Sequence, residues 1–109
     1  MNDDKALNML SALSQKTRFQ VFRLLMANGC DGMAAGKIAE NLAVPQNTLS
    51  SHLTILTNAG LITMERQGRH LIYKAAIGET RDFIEFLVSD CCQGNPEICE
   101  LPFHLMKSC

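Results

Sequence analysis

Apolar residues recur at helical spacing in five stretches of the chain. The spacing predicts helices over residues 4–13, 15–27, 34–42, 45–58 and 79–90. Two shorter runs rich in Leu, Ile, Thr and Tyr, residues 61–65 and 71–75, are typical of strands. The residues between them, 66–69, are Arg-Gln-Gly-Arg, which predicts a hairpin with a basic tip. The pattern indicates a mainly α fold with one β-hairpin of two strands.

The fourth predicted helix has one apolar stripe and one face of small polar side chains. Leu49, Leu53 and Leu56 are spaced four and three apart, so a single stripe is buried. The opposite face carries amide and hydroxyl groups that suit the base edges of the major groove. A polar face alone is also typical of a solvated helix, but here a short helix and a tight turn precede it and a basic hairpin follows. This order predicts a winged helix-turn-helix that binds double-stranded DNA.

The candidate DNA contacts lie on that polar face and at the tip of the hairpin. They are Gln46, Asn47, Thr48, Ser50, Ser51, His52, Thr54, Arg66 and Arg69. The two arginines suit phosphates or the minor groove because a guanidinium presents several donors in a fixed geometry. For His52 a second interpretation stays open, in which the ring packs against the hairpin.

The first and last predicted helices each carry an apolar stripe. The stripe residues are Leu7, Leu10 and Leu13 in the first helix and Phe83, Phe86 and Leu87 in the last. A chain of 109 residues has little core to spare, and an isologous interface between two copies hides both stripes most simply. Packing of both stripes within one monomer is the alternative. We expect a homodimer formed by helices 1 and 5.

The positive charge of the chain is concentrated in its middle. The net charge is −1, which alone is a weak indication against nucleic acid. Residues 41–78, however, carry three basic side chains and one acidic side chain, together with His52 and His70. Residues 79–109 carry six acidic and two basic side chains. The predicted DNA-binding segment is therefore the basic part of the chain.

The sequence shows no targeting or membrane segment. Residues 1–5 are polar, and no apolar run approaches the roughly 18 residues that span a bilayer. We therefore expect a cytoplasmic protein without a membrane partner, in which the five cysteines are thiols rather than a disulfide framework. No Cys-x-x-Cys pair and no catalytic constellation is present, so an enzyme is not expected.

Three cysteines cluster in the tail, residues 91–109, which is expected to be irregular and to follow a domain formed by residues 1–90. Cys91 and Cys92 are adjacent, and a turn containing Gly and Pro would fold Cys99 back toward them. Three convergent thiolates suit soft ions. Trivalent arsenic or antimony fits well because a pyramidal site with three thiolates needs no fourth ligand.

Other chemistries for the cysteines stay open. Zinc is a competitor if Cys109 or His104 supplies a fourth ligand to a tetrahedral site. Thiol oxidation is another, with a disulfide between Cys92 and Cys99. Cys30, in a predicted loop after helix 2, is interpreted as a packing residue, and the alternative is that it reaches the ion site across the dimer.

Three stretches resemble the ArsR/SmtB family of metal- and metalloid-responsive repressors. They are Ala12–Leu25 (ALSQKTRFQVFRLL), Ile38–Ile62 (IAENLAVPQNTLSSHLTILTNAGLI) and Glu65–Tyr73 (ERQGRHLIY). The resemblance extends over residues 6–90. It implies a winged-helix homodimer that pairs through its first and last helices, binds a palindromic operator and leaves the DNA when an ion binds.

The ion sites familiar in this family are absent from their usual places. The helix predicted at residues 34–42 has no cysteine, and the last helix has no histidine beside its acidic residues. The Cys-Cys-x-Gly-x-Pro-Glu-x-Cys tail instead resembles an arsenite-responsive subset, which implies Cys91, Cys92 and Cys99 as ligands. The resemblance thus implies a repressor released from its operator by arsenite, As(III), or by Sb(III). A repressor that responds to zinc, cadmium or thiol oxidation is the alternative.

Overall fold

The structure is a computed structural model that describes residues 1–89. Within these residues it contains five α-helices and three strands. The helices are α1 (Asp3–Leu13), α2 (Lys16–Asn28), α3 (Ala35–Leu42), α4 (Gln46–Asn58) and α5 (Ile77–Val88). The strands are β1 (Met33–Ala34), β2 (Ile62–Gln67) and β3 (His70–Ala75), and a 3-10 turn, Gly29–Asp31, joins α2 to β1. The architecture is a winged helix-turn-helix, which confirms the fold predicted from the sequence. In the described part of the chain, no helix combines the length and apolar character needed to cross a membrane.

The third strand is the main departure from the sequence prediction. β1 pairs antiparallel with β3, so the strand order is β1-β3-β2. A strand of two residues is too short for an alternating pattern to reveal. Gly32 precedes it with φ at +78°, and a Cβ at that position would lie 2.6 Å from Cγ2 of Ile72 in β3. Glycine therefore allows the chain to pass this close to the sheet.

The caps of α1 and α2 explain where the two helices meet. The side chain of Gln15 accepts a hydrogen bond from the N–H of Arg18 at 2.9 Å, so Gln15 caps the N-terminus of α2. The hydroxyl of Ser14 donates instead to the carbonyl of Ser11 at 2.8 Å. Ser14 thus closes α1, and α2 begins at Lys16 rather than at residue 15.

One core joins the helices to the sheet. α4 contributes Leu49, Leu53 and Leu56, which are all almost completely buried. Each fully buried leucine stabilises the fold by about 1.5–3 kcal/mol relative to an exposed one. Val21 and Leu25 of α2 pack in the same cluster. The predicted apolar stripe of α4 is therefore confirmed, and its burial holds the opposite face of α4 outward.

Two of the three leucines of α1, Leu7 and Leu10, do not face this core. The buried residues of α1 are Ala6, Met9 and Ala12. Leu7 and Leu10 are 62% and 43% exposed, and Leu87 of α5 is 51% exposed. Packing within one monomer is therefore wrong for these three residues, whereas Phe83 is buried and Leu13 and Phe86 pack against the core. The inner face of α1 uses small side chains and one methionine, because the helix lies close to its neighbours.

Candidate nucleic-acid interface

The turn between α3 and α4 fixes the angle at which α4 leaves the domain. The N–H of Ala43 donates to the carbonyl of Glu40 at 3.3 Å, and the N–H of Val44 donates to the carbonyl of Ala39 at 3.0 Å. This pair of bonds is the Schellman pattern that ends many helices. It places Ala43 in the left-handed conformation, with φ at 54°. The two helices are therefore joined by a hydrogen-bonded turn rather than by a loose loop.

The outer face of α4 carries six of the seven residues predicted to contact DNA from this helix. All six are exposed: Gln46, Asn47, Thr48, Ser50, Ser51 and Thr54. They lie opposite the buried leucines, so the core determines which way they face. Six side chains that hydrogen-bond are thus brought together on one accessible helix surface.

Two hydroxyl groups of this surface bond to their own helix. Oγ of Ser51 donates to the carbonyl of Thr48 at 3.2 Å, and Oγ1 of Thr54 donates to the carbonyl of Ser50 at 3.1 Å. A hydroxyl that donates in this way still has lone pairs. Such groups can accept a hydrogen bond from the amino group of adenine or cytosine in the major groove.

The N-terminus of α4 adds an electropositive end to this face. Pro45 provides no side-chain cap at the N-terminus of α4. Oδ1 of Asn47 accepts from the N–H of Thr48 at 2.9 Å. The N–H groups and the helix dipole at such an end attract phosphate.

The wing presents its arginines at a tight hairpin turn. Gln67 pairs with His70, so Gly68 and Arg69 form a two-residue turn, and Gly68 has φ at +63°. Glycine suits the first position of such turns because it adopts positive φ without steric cost. Arg66 and Arg69 are both exposed, and neither forms an ion pair within residues 1–89. Their charge is therefore available to a phosphate.

His52 differs from the other predicted contacts on α4. Its side chain is half-buried, and Nδ1 lies 3.3 Å from Nη1 of Arg18 in α2. The hydrogen bond of the ring is thus made to α2. Arg18 is not among the residues predicted from the sequence, because no linear spacing brings residue 18 next to residue 52. Its place in the first turn of α2, directly after the break from α1, is the only signal the sequence offers.

The predicted ion ligands Cys91, Cys92 and Cys99 lie outside the described residues. Among residues 1–89, no group of three or more His, Cys, Asp or Glu side chains is arranged to hold a metal ion. Cys30, the one cysteine in this part of the chain, is exposed and disulfide-bonded. Its interpretation as a packing residue is therefore wrong, and so is the expectation that all five cysteines are thiols. Cys30 lies in the 3-10 turn after α2, beyond the residues that α2 contributes to the core.

Comparison with known proteins places this fold among transcription regulators. A family described as a helix-turn-helix domain matches residues 13–65. The transcriptional activator HlyU of Vibrio cholerae is 29% identical over 86% of this chain and 84% of its own length. The transcriptional repressor SdpR of Bacillus subtilis is 31% identical over 84% of this chain and 98% of its own length. The putative arsenical resistance operon repressor ArsR2 of Halobacterium salinarum is 31% identical, with coverages of 84% and 73%.

Solved structures share the fold. An ArsR-like transcriptional regulator from Rhodococcus sp. RHA1 superposes with a TM-score of 0.73 at 23% identity, covering 87% of both chains. A homodimeric winged helix-turn-helix DNA-binding domain from Mycobacterium bovis superposes with a TM-score of 0.65 at 24% identity, covering 94% of both chains. At these identities the likeness establishes the architecture.

Proposed function

Because the chain belongs to the ArsR/SmtB family of winged-helix transcription regulators, we propose that it is a repressor that binds double-stranded operator DNA. The observation that carries the proposal is the exposed polar face of α4, held outward by its buried leucines and followed by a basic wing. In this arrangement α4 is the recognition helix, which enters the major groove, and the wing contacts the backbone or the minor groove. An enzymatic role is not proposed.

The protein acts on DNA as a homodimer that pairs through α1 and α5. The exposed side chains of Leu7, Leu10 and Leu87 line a groove of about 220 Å³ together with Ala6 and Phe86. A second copy that covers this groove buries Leu7, Leu10 and Leu87, which the monomer leaves exposed. Two recognition helices then meet successive major grooves, which lie about 34–36 Å apart.

DNA binding is tested with a duplex that the protein itself selects from a randomised pool. The protein is titrated into the fluorescently labelled selected duplex, and anisotropy reports binding. We expect an inverted repeat to be selected, because a two-fold dimer matches a two-fold operator. Selection of no duplex, or of sequences without any shared half-site, contradicts the proposal.

The proposed inducer is arsenite, bound by Cys91, Cys92 and Cys99. One observation supports it: the relative ArsR2 is named as a putative arsenical resistance operon repressor. Arsenous acid, As(OH)3, would react with three thiols, so that three As–S bonds replace three As–O bonds and the thiol protons leave with the hydroxyl groups as three waters. Zinc, cadmium and antimony remain competitors with the same donor preference.

Induction requires that arsenite bind the DNA-free arrangement more tightly than the DNA-bound one. The three cysteines follow α5, which carries part of the proposed dimer face, so ligation there would act on the relative orientation of the two subunits. To shift the ratio of the DNA-free to the DNA-bound arrangement from 1:99 to 99:1, arsenite must bind the first more tightly by about 5.5 kcal/mol. By linkage, operator DNA must weaken arsenite binding by the same factor.

The inducer is tested by operator release across a panel of ions: As(III), Sb(III), Cd(II) and Zn(II). We expect As(III) or Sb(III) to release the duplex from the reduced wild-type protein. Separate Cys→Ser substitutions at positions 91, 92 and 99 should abolish release while leaving DNA affinity unchanged. A wild-type response in all three variants contradicts the proposed ligand set, and release by Zn(II) alone identifies the competitor.

A second candidate function, favoured by the disulfide bond of Cys30, is a redox-responsive repressor. Cys30 lies in the turn before β1 and α3, where Gly32 packs against β3, so its bond acts on a segment tied to both the wing and the helix-turn-helix. Formation of the disulfide from two thiols gives up two protons and two electrons, which a peroxide accepts to form water. Equal DNA affinity with and without dithiothreitol contradicts this candidate, as does an unchanged peroxide response in Cys30→Ser.

A further inference from the structure

Arg18 contacts two helices at once. Its Nε donates to the carbonyl of Ala12 at 2.7 Å, and its Nη1 lies 3.3 Å from Nδ1 of His52. Ala12 belongs to the last turn of α1, where carbonyl groups lack partners within the helix. His52 belongs to the recognition helix α4. A single guanidinium group therefore ties the end of α1 to the middle of α4.

The contact with Arg18 determines which nitrogen of the His52 ring accepts a hydrogen bond and which one carries a proton. A guanidinium has only N–H donors, so Nδ1 of His52 must be the acceptor. The proton of a neutral ring then lies on Nε2. Within residues 1–89 the only hydrogen bond of the His52 side chain is the one to Arg18. The Nε2–H group thus remains a donor for an acceptor outside the described residues.

We propose that Arg18 is a positioning residue for DNA recognition, an inference that rests on the DNA-binding function proposed above. Arg18 orients the ring of His52 through Nδ1, and the N–H group at Nε2 donates to an oxygen or nitrogen acceptor of the bound DNA. The ring is half-buried and its neighbour Ser51 lies on the exposed polar face. His52 therefore lies at the edge of the proposed contact surface, and its contact with Arg18 of α2 fixes the orientation of its ring.

The same contact connects the recognition helix α4 to the proposed dimer face. α1 carries exposed Leu7 and Leu10, and its last turn is bound by the Arg18 guanidinium that also binds His52. A change in the position of α1 is therefore passed to the recognition helix through one side chain. A residue that only stabilised the fold would not link the ring of His52 to DNA affinity.

A double-mutant cycle on the selected duplex tests the proposal. Arg18→Gln and His52→Ala should each weaken binding by about tenfold or more, the loss expected for a hydrogen bond that involves a charged group. The double variant should bind no more weakly than the weaker single variant, because the two residues act as one unit. The matched control is Arg23→Gln, which removes the same charge from the same helix, where the guanidinium lies 6.0 Å from the centre of the Phe19 ring.

Two further measurements separate positioning from simple stabilisation. Nitrogen-15 spectra of the ring in the wild-type protein should show His52 protonated on Nε2, and Arg18→Gln should shift the ring toward a mixture of tautomers. If Arg18→Gln does not fold, the DNA affinities of His52→Gln and His52→Asn are compared instead. Gln offers an N–H near the place of Nε2, so it should retain more DNA affinity than Asn.

Failure of this inference and failure of the proposed function give different results. Additive losses in the cycle, an unchanged ring spectrum in Arg18→Gln, or equal affinity of the Gln and Asn variants would overturn the inference alone. Failure of the wild-type protein to bind any duplex would overturn the proposed function and the inference with it. A loss that affects selected and scrambled duplexes alike identifies a phosphate as the acceptor, and a loss confined to the selected duplex identifies a base.

Discussion

Arg66 and Arg69 illustrate what a single side chain contributes to this surface. Both are exposed and without an ion pair within residues 1–89, so each can bind a phosphate without breaking an existing interaction. We expect Arg66→Ala and Arg69→Ala each to weaken binding to all duplexes by similar factors. Each should also reduce the slope of log K against log [salt] by about 1 for every phosphate that the variant no longer neutralises. Arg23→Ala is the control, and an unchanged slope in the wing variants contradicts their role.

The candidate contacts differ in how far the sequence predicts them. The six exposed residues of α4 are predictable because a helical period of 3.6 fixes which side chains oppose a buried leucine stripe. The Arg18–His52 contact is not, because it joins residues 34 positions apart and depends on how α2 packs against α4. The interpretation of Cys30 fails because cysteine is typical of a protein core, and only the fold places this one at an exposed turn.

At the scale of elements, the turn between α3 and α4 stores a small strain. Ala43 adopts φ at 54°, a conformation that costs a residue with a Cβ about 1–2 kcal/mol and glycine almost nothing. Ala43→Gly should therefore raise the free energy of unfolding by up to about 1 kcal/mol, after allowance for the greater freedom of glycine in the unfolded chain. Urea denaturation followed by circular dichroism measures this. Destabilisation of the variant would contradict the assigned turn geometry.

The elements themselves are mostly predictable from apolar periodicity. All five helices lie within a few residues of their expected bounds, and both wing strands are present. α5 begins at Ile77 rather than at residue 79, and the hydroxyl of buried Thr80 donates to the carbonyl of Ala76 at 2.8 Å in its first turn. β1 is not predicted because a strand of two residues is too short to show an alternating apolar pattern. Its position depends on Gly32, which packs against β3.

The exposed leucines of α1 and α5 are not explained by a protein that acts as a monomer. The combined variant Leu10→Asp with Leu87→Asp places a charge on each side of the proposed interface, and burial of an unpaired carboxylate is costly. We expect a folded monomer with strongly reduced operator affinity, as measured by sedimentation velocity and anisotropy. Both side chains are already in solvent, so the helical content should be unchanged.

Phe19→Asp serves as the control for this variant. Phe19 is 47% exposed on α2, outside the groove between α1 and α5, so its replacement should leave the dimer intact. A dimeric Leu10→Asp, Leu87→Asp protein would show that another surface pairs the subunits. The leucine spacing predicts an apolar stripe on α1, but only the fold shows that Leu7 and Leu10 lie outward while Ala6, Met9 and Ala12 are buried.

The recognition of an operator sequence by α4 is measured by the ratio of affinities for the selected and the scrambled duplex. Specific sites are typically bound at least about 10³-fold more tightly than non-specific DNA. Asn47→Ala combined with Ser50→Ala alters two exposed positions on α4. It should lower this ratio by at least about tenfold, because each base contact discriminates by about 1–3 kcal/mol. A wild-type ratio near one, or a variant that keeps the full ratio, would contradict this role of α4.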